Sequence, residues 1–412
     1  MNELFTVVTP RDAVRLLLDR CRPVRGAETV SAGDGFARVL RTTLVANRTL
    51  PAVSRATMDG FAVQAAATFG ASDASPAYLR LAGEVRMGAV AAIATGRIDA
   101  LRIHTGAMMP PGADAVVMVE DANEHGAEIE VLRSVAPGEN TIRAGEDIAA
   151  GSLAIPAGRR LRPQDLGGLA ALGMQHVDVF ARPRIAIVST GDELVPVSQE
   201  PGPAHVRDVN AATLDAVVRE AGGMPVHMGI VGDDPERLES RLRAALEGAD
   251  AVVVSAGSSV SHRDITARVV ERLGDPGILV HGIALRPGKP TIVAVADGTP
   301  IVGLPGNPAS ALVVAWRFVA PMVRALGGET VEPDDAGNGI DARLTAPVPS
   351  RPGREDYVAC SLRFAAEGEA QATPIFGSSN LIFTLVRADG LIVVPLDRNG
   401  VAAGSTVRVI RP

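Results

Sequence analysis

The sequence has almost no lysine. Of its 40 lysine and arginine residues, 39 are arginine and one, Lys289, is lysine. Lysine carries a compact point charge suited to an oxyanion, whereas arginine presents a planar fork. Lys289 lies in the turn 286–290 (RPGKP), directly after an apolar run. A composition that keeps one lysine in such a turn indicates that arginine cannot replace it there. Chance retention is the alternative.

Aromatic residues and cysteines are also scarce, at 3% of the chain and two residues, respectively. Aliphatic side chains must therefore form the cores. Cys21 and Cys360 stand in unrelated contexts, which argues against a disulfide scaffold or a cysteine metal site, and we expect both to be free thiols. The seven histidines show no pair with metal-ligand spacing, so a histidine-bound zinc or iron site is not supported.

Long apolar runs and basic blocks are missing as well. The longest apolar stretch, 309–323, is interrupted by Arg317 and Pro321 and falls short of the roughly 18–20 residues of a membrane span. The N-terminus has no signal-peptide pattern, so a cytoplasmic protein is expected. A net charge of −7 without a basic block argues against nucleic acid or a membrane as partner. A small anion in a local basic pocket remains compatible with this charge.

The pattern of strands and helices predicts a multidomain α/β and β protein. Apolar strands alternate with amphipathic helices across 182–328, which is typical of a doubly wound α/β domain. Short alternating runs separated by Gly, Asp and Pro predict β-rich domains on either side of it. The expected parts are an N-terminal helical and linker part at 1–26 and 141–181, a β-rich domain at 27–140, the α/β domain at 182–328 and a small β-domain at 329–412.

Several element boundaries carry their own signals. Thr9 with Pro10, and Asp234 with Pro235, are typical N-cap and N1 pairs of helices. We also expect a strand at 278–285 leading into the lysine turn, a helix at 265–274 after the turn 256–264, and a long helix at about 309–326.

Polar turns follow the strands of the predicted α/β domain, at the sheet edge where ligands of this fold class bind. Thr190–Glu193 places two carboxylates there, and Ser255–Ser261 offers small residues that suit a phosphate. Asp264 could hold Mg²⁺ against that phosphate. The alternatives are helix caps for Asp192 and Asp234, tight strand–helix packing for the small residues, and plain turns for Asp59 and Asp147.

Taken together, the motifs resemble those of the molybdopterin molybdenumtransferase family, called MoeA in bacteria and found as the E domain of gephyrin-type proteins. They follow the family order along nearly the whole chain. The matching segments are MDGFAV (58–63), HTGAMMPPGADAVVMVED (104–121), RAGEDI (143–148), STGDEL (189–194), GDDP (232–235), SAGSSVSHRD (255–264), LRPGKP (285–290), GLPGNPAS (303–310), PGRED (352–356) and GSSNLI (377–382).

The resemblance implies an elongated homodimer in which the second domain of one subunit faces the α/β domain of the other. It also implies the reaction: molybdate enters the dithiolene of adenylated molybdopterin, AMP leaves, and molybdenum cofactor forms with the help of Mg²⁺. A molybdopterin adenylyltransferase is the implied pathway partner. From the residues alone, such chemistry requires an oxyanion held beside a phosphoanhydride with a divalent ion to balance charge.

By motif position, the resemblance also implies site residues. Those implied in catalysis are Asp59, Asp192, Glu193, Asp234, Asp264 and Lys289, of which Glu193, Asp234 and Asp264 would serve the metal. Those implied in binding are Thr105, Asp147, Thr190, Ser255, Gly257, Ser259, Arg286, Pro305, Gly306, Asn307, Pro308, Arg354 and Ser379. Among all of these, Arg286, Lys289, Arg354 and Ser379 would hold molybdate, and Asp59, Thr105 and Asp147 would come from the partner subunit.

The chain departs from the family pattern at a few positions. Ala256, Ser258 and Ser261 replace smaller or apolar residues of the small-residue turn, arginine stands at 286 where lysine is common, and His104 precedes Thr105. The altered turn leaves a second hypothesis open, a protein that binds or scaffolds molybdopterin without catalysis. A third is an adenylyltransferase of the related single-domain type, against which the flanking domains argue.

Overall fold

The computed structural model describes residues 8–256, 260–333, 339–364 and 369–411, and only the backbone of 260–264. The α-helices of these ranges pack mainly on the two faces of the central sheet. They are Pro10–Leu18, Pro163–Ala171, Val209–Glu220, Pro235–Gly248, Val260–Glu271, Pro308–Leu326 with a π-helical segment at Ala315–Val319, and Phe383–Val386.

A six-stranded central sheet forms the α/β part of the molecule. Alternate residues of its strands pack on opposite faces: Ile185 and Ile187 join one core, and Ala186 and Val188 join the other. Burial on both faces explains the uninterrupted apolar runs in the sequence. The strand order is Met224–Val231, Arg184–Thr190, Ala251–Ser255, Thr299–Leu304, Ile292–Ala296 and Pro276–His281.

This sheet is mixed rather than fully parallel. Its strands are parallel except for Ile292–Ala296, which runs antiparallel to both of its neighbours. The antiparallel strand forms a hairpin with Thr299–Leu304, which allows the lysine turn and the 305–308 turn to reach the same edge of the sheet. The expected α/β class with β-rich flanking parts is confirmed.

Two expected elements differ in the structure. The strand expected at 278–285 ends at His281, and Leu285–Arg286 leaves the central sheet to pair with Glu355–Asp356. The helix expected from 265 already begins at Val260, so part of the predicted turn is helical. Both differences arise because strand pairing and helix packing, rather than local sequence, decide where these segments end.

The N-terminal sheet has six strands and two small cores. Only one of its pairings, between Ala77–Val85 and Asp99–Ile103, is parallel. The strand order is Ala115–Met118, Gly60–Val63, Asp99–Ile103, Ala77–Val85, Glu128–Val131 and Ala122–His125.

A closed C-terminal barrel follows the central sheet. Its strand Glu355–Phe364 pairs on both sides and closes the ring, while Leu285–Arg286 adds to the edge near residue 355. The closed ring has no unpaired edge to protect. The other strands of the barrel are Ala370–Pro374, Ile340–Leu344, Thr406–Ile410 and Gly390–Val394.

The linker part has its own small core. The strand Ala27–Ser31 pairs with His176–Phe180, and Leu40, Leu161 and Leu169 pack beneath them. Residues 27–31 thus pack with the linker rather than with the N-terminal sheet. Short paired strands complete the chain at Leu44–Val45, Arg55–Ala56, Thr141–Ile142, Leu153–Ile155, Leu194–Val195, Val206–Arg207, Val348–Pro349 and Gly400–Val401.

Two helix N-termini follow their sequence signals. Thr9 caps the helix Pro10–Leu18 by accepting from the Asp12 N–H at 3.1 Å. Asp234 caps Pro235–Gly248 by accepting from the Glu236 and Arg237 N–H groups at 2.9 and 3.1 Å. Both predicted caps are confirmed.

The helix Pro308–Leu326 is, within the described ranges, the one helix whose length and composition would allow it to cross a membrane. However, 72% of the most apolar 18-residue stretch of this helix is buried inside the protein, which is typical of a core helix. It carries the buried Arg317, whose guanidinium lies 5.9 Å from the centre of the Tyr357 ring.

Both cysteines are buried free thiols, as expected. Burial raises the pKa of Cys21 and of Cys360 to about 12 in each case. Both side chains therefore stay protonated at neutral pH, and neither is a reactive thiolate.

Candidate active site at the carboxyl edge of the central sheet

Four parallel strands of the central sheet end at one edge, at Thr190, Val231, Ser255 and Leu304. A predicted polar turn follows each of them. Between this edge and the barrel lies a cleft of about 540 Å³. From the predicted set it is lined by Arg286, Pro305, Gly306, Asn307 and Ser379.

The turn after Leu304 is fixed against the C-terminal part of the chain. The Asn307 side-chain nitrogen donates to Ser379 Oγ at 3.0 Å, and the Ala309 N–H donates to the Ser379 carbonyl at 3.0 Å. Asn307 and Ser379, which lie 72 residues apart in sequence, thus meet at one wall of the cleft.

Asn210 joins two of the loops at this edge, and the sequence interpretation did not identify it. Its Nδ2 donates to Ser255 Oγ at 2.8 Å and to the Gly306 carbonyl at 2.9 Å. Because the Gly306 carbonyl can only accept, the amide orientation is fixed, and the Ser255 hydroxyl hydrogen is left to donate elsewhere. Asn210 is 7% exposed and its Oδ1 has no hydrogen-bond partner within the described residues.

A signal for Asn210 was present in the sequence. The buried face of the helix Val209–Glu220 consists of Asn210, Leu214, Val217 and Val218. A polar side chain on the apolar face of an amphipathic helix needs a buried partner. That partner could not be named until the loops were in place.

The lysine turn is supported from below by buried contacts. Gly288 has a φ of +127°, and a Cβ there would lie 2.6 Å from Val314 Cγ2 and 2.9 Å from Leu285 Cδ2. The Thr291 hydroxyl donates to the Gly288 carbonyl at 2.6 Å, and the Ile283 N–H donates to the Lys289 carbonyl at 2.8 Å. The Lys289 side chain is exposed and makes no hydrogen bond or ion pair within the described ranges.

A buried carboxylate, Asp356, lies between two predicted anion ligands. Arg354 Nε donates to Asp356 Oδ1 at 2.8 Å and its Nη2 to Oδ2 at 3.3 Å, while Arg286 Nη1 lies 3.5 Å from Oδ2. Asp356, which the sequence interpretation did not identify, therefore joins Arg286 and Arg354. Its signal in the sequence was an acid directly before the apolar residues 357–360 of the same strand.

The acidic turns at 190–193 and 232–234 are joined by hydrogen bonds. The Asp192 N–H donates to Asp233 Oδ2 at 3.3 Å, and the Asp233 N–H donates to Asp192 Oδ1 at 3.1 Å. One oxygen of Asp234 is engaged in the helix cap. Among the described side chains, no three His, Cys, Asp or Glu are placed to hold a metal ion.

Part of the predicted site lies outside the described residues. Gly257 and Ser259 fall in the range 257–259, and the Asp264 side chain is also outside the description. Glu193 is half-buried beside Asp192, and Thr190 and Ser255 are buried at the ends of their strands.

Asp59 and Thr105 form a second, separate polar group on the N-terminal sheet. Asp59 Oδ1 accepts from the Thr105 N–H at 2.6 Å and from its hydroxyl at 2.9 Å, and His104 Nδ1 lies 3.9 Å away. The backbone N–H of Thr105, then its hydroxyl, lowers the pKa of Asp59 below the ordinary value of 3.8. The two predicted residues meet although 46 positions separate them.

We expect Thr105→Ala to raise the Asp59 pKa part of the way to its ordinary value, because the backbone donor remains. Because the pKa of Asp59 is lower in the folded than in the unfolded protein, the ionised carboxylate stabilises the fold at pH values above the unfolded pKa. This stabilisation is lost as the pH falls through the folded-state pKa. An NMR titration of the Asp59 carboxyl carbon measures the shift. An unchanged pKa in the variant would show that the hydroxyl does not act on Asp59.

Asp147 does not line the cleft and, within the described residues, is not hydrogen-bonded to Asp59 or Thr105. It lines an open groove of about 1110 Å³ together with Arg48, Arg55 and Glu146. Within one chain, therefore, the structure joins Asp59 with Thr105 and brings Arg286, Pro305, Gly306, Asn307 and Ser379 to one cleft, whereas Asp147 lines a different groove.

Comparison with known proteins assigns the family. The models for the MoeA N-terminal region (domain I and II), the probable molybdopterin binding domain and the MoeA C-terminal region (domain IV) match residues 8–173, 186–325 and 341–411. A Bacillus subtilis relative named molybdopterin molybdenumtransferase is 32% identical over all of this chain and 95% of its own length. The chain belongs to the molybdopterin molybdenumtransferase family.

Other relatives agree with this assignment. A protein of the same name from a Nostoc species is 33% identical over 93% of this chain and 88% of its own length. The solved structure of a molybdopterin biosynthesis MoeA protein from Pyrococcus horikoshii OT3 is similar with a TM-score of 0.83 and 27% identity, covering 99% of this chain and 100% of that one. The family resemblance seen in the motifs is confirmed.

Proposed function

We propose that this chain is the transferase that inserts molybdate into adenylated molybdopterin during molybdenum cofactor biosynthesis, releasing AMP. The observation that carries the proposal is the cleft between the carboxyl edge of the central sheet and the barrel, with Arg286 on its wall and the lysine turn beside it. A cationic wall next to hydroxyl and amide donors suits an oxyanion held beside a nucleotide phosphate.

In this proposal the cationic turn and the barrel hold molybdate through Arg286, Lys289, Arg354 and Ser379. Ser255, Gly257, Ser259, Asn307 and Pro308 would receive the adenylated pterin. Pro305 and Gly306 shape the turn, and Thr190 and Asp192 lie at the neighbouring strand end. The Ser255 hydroxyl, left free to donate by Asn210, is available to a phosphate oxygen.

We propose that Mg²⁺ serves the anhydride through Glu193, Asp234 and Asp264. Mg²⁺ commonly uses one or two carboxylates and completes its shell with water and substrate phosphates, so a full protein cage is not required. The second oxygen of Asp234 stays outside the helix cap. Glu193 adds another carboxylate, next to Asp192, which is hydrogen-bonded to Asp233. When bound, the ion would neutralise charge on the phosphates as AMP leaves.

We further propose a cytoplasmic homodimer of four-part subunits. Asp59, Thr105 and Asp147 lie on parts of the chain away from the cleft, which supports their supply from the partner subunit. The parts proposed are 1–26 with 141–181, 27–140, 182–328 and 329–412, with 27–31 packed on the first part. A molybdopterin adenylyltransferase is the proposed source of the adenylated substrate.

The decisive experiment is AMP release from adenylated molybdopterin on adding molybdate, and separately tungstate, to the purified chain. We expect oxyanion-dependent AMP release. Tight binding of the adenylated pterin without AMP release would instead favour a scaffolding role, and ATP-dependent adenylation of molybdopterin would favour an adenylyltransferase.

A further inference from the structure

Asp356 is buried at the wall of the cleft and faces two cationic side chains. It is 1% exposed, yet it lines the cleft together with Arg286. Its strand pairs on one side with Leu285–Arg286, where Arg286 lies directly opposite Asp356, and on the other with Gly390–Val394, where Val394 lies opposite. Pairing on both sides fixes where its carboxylate can lie.

The contacts of Asp356 determine how each arginine is presented. Arg354 uses Nε and Nη2 for the two carboxylate oxygens, a two-pronged bond that holds the guanidinium plane. The remaining nitrogen of Arg354, Nη1, is left to donate to an anion. Arg286 reaches the same carboxylate with Nη1 at 3.5 Å. Its side chain is 62% exposed, so its other N–H groups are accessible to an anion.

We propose that Asp356 is a positioning residue. It orients Arg354 and Arg286 toward the oxyanion and sets the net positive charge of the oxyanion site. This inference rests on the proposed function. A buried carboxylate without cations would be costly, and two neighbouring guanidiniums without a carboxylate would repel each other. With Lys289, the three cations and one carboxylate leave about two positive charges, which matches a tetrahedral dianion.

Asp356→Asn tests this role because it keeps the side-chain shape and removes the charge. We expect the Kd for molybdate alone, and the KM for molybdate in AMP release, to rise about tenfold or more, as when a charge-assisted hydrogen bond is misplaced. The KM for adenylated molybdopterin should stay within about twofold. Asp356→Glu keeps the charge and should recover most of the lost affinity.

The matched control is Asp341→Asn, in the same barrel. Asp341 is exposed and lies 3.5 Å from Arg408, so its loss should change neither constant. Values for Asp356→Asn within about twofold of wild type would overturn the proposal, as would equal losses in Asp356→Asn and Asp356→Glu, which would indicate a folding role.

If Asp356→Asn does not fold, a second variant tests the same proposal. In that event Arg354→Lys, which keeps the charge and loses the fork, should raise the molybdate Kd about tenfold, and an unchanged Kd would overturn the proposal. Failure of the proposed function is distinguishable, because then wild-type protein itself would neither bind molybdate nor release AMP.

Discussion

We expect Lys289→Ala and Lys289→Arg both to lose molybdate-dependent AMP release by a factor of about 10² or more, and to keep the wild-type unfolding midpoint. Lys289 is exposed and its side chain makes no hydrogen bond or ion pair within the described part of the chain, so its removal leaves no buried group unpaired. Arginine restores the charge but not the compact ammonium, and the longer planar group does not fit the same oxyanion position.

The composition makes this prediction unusually direct to test. Because Lys289 is the only lysine, amine-selective reagents modify one side chain and the α-amino group. Reductive methylation with ¹³C-formaldehyde keeps the positive charge and should give one side-chain signal that shifts on adding molybdate. Acetylation removes the charge and should abolish activity, and molybdate should slow the modification.

A matched control is Arg243→Ala. Arg243 lies on the helix Pro235–Gly248, pairs with Glu239 at 2.8 Å and is distant in sequence from the lysine turn. Its loss should leave AMP release unchanged. Full activity in Lys289→Ala, or in Lys289→Arg, would contradict the prediction that a lysine is required at position 289.

We expect Gly288→Ala to destabilise the protein by about 2–4 kcal/mol and to displace the lysine turn, with a corresponding loss of molybdate affinity. Two costs add at this position. The φ of +127° is unfavourable for a residue with a Cβ, and the added carbon would lie 2.6 Å from Val314 Cγ2 on the core helix. Denaturant unfolding and molybdate binding measure the two effects.

Gly298→Ala separates these costs. Gly298 has a φ of +90°, but a Cβ there would meet no atom within 4 Å. We expect a loss of only about 1 kcal/mol, from backbone strain alone. Equal losses in Gly288→Ala and Gly298→Ala would show that contact with Val314 does not limit the lysine turn.

Much of the fold is determined locally. The strands of the central sheet, such as Ala251–Ser255, are continuous apolar runs because both of their faces are buried. The caps at Thr9 and Asp234 act on N–H groups within three residues. The order of short motifs along the chain was enough to identify the family.

The candidate site was predictable as a set of turns but not as an arrangement. Lys289, Asn307 and Ser379 were identified from their motifs, and the structure joins Asn307 to Ser379. Asn210 and Asp356 were not identified, because the meaning of a polar residue at an apolar position depends on its buried partner. The partners of Asn210 lie 45 and 96 residues away, and those of Asp356 include Arg286, on a strand that left the central sheet.

The sequence by itself determined most of the helices and strands, the caps at Thr9 and Asp234, the family and the lysine as the distinctive charge, since each depends on neighbours along the chain or on the order of motifs. Tertiary structure alone decided that Leu285–Arg286 joins the barrel and that one carboxylate holds two arginines beside the cleft. The physical reason is that strand pairing between distant segments sets these contacts, and local sequence does not encode which strands will meet.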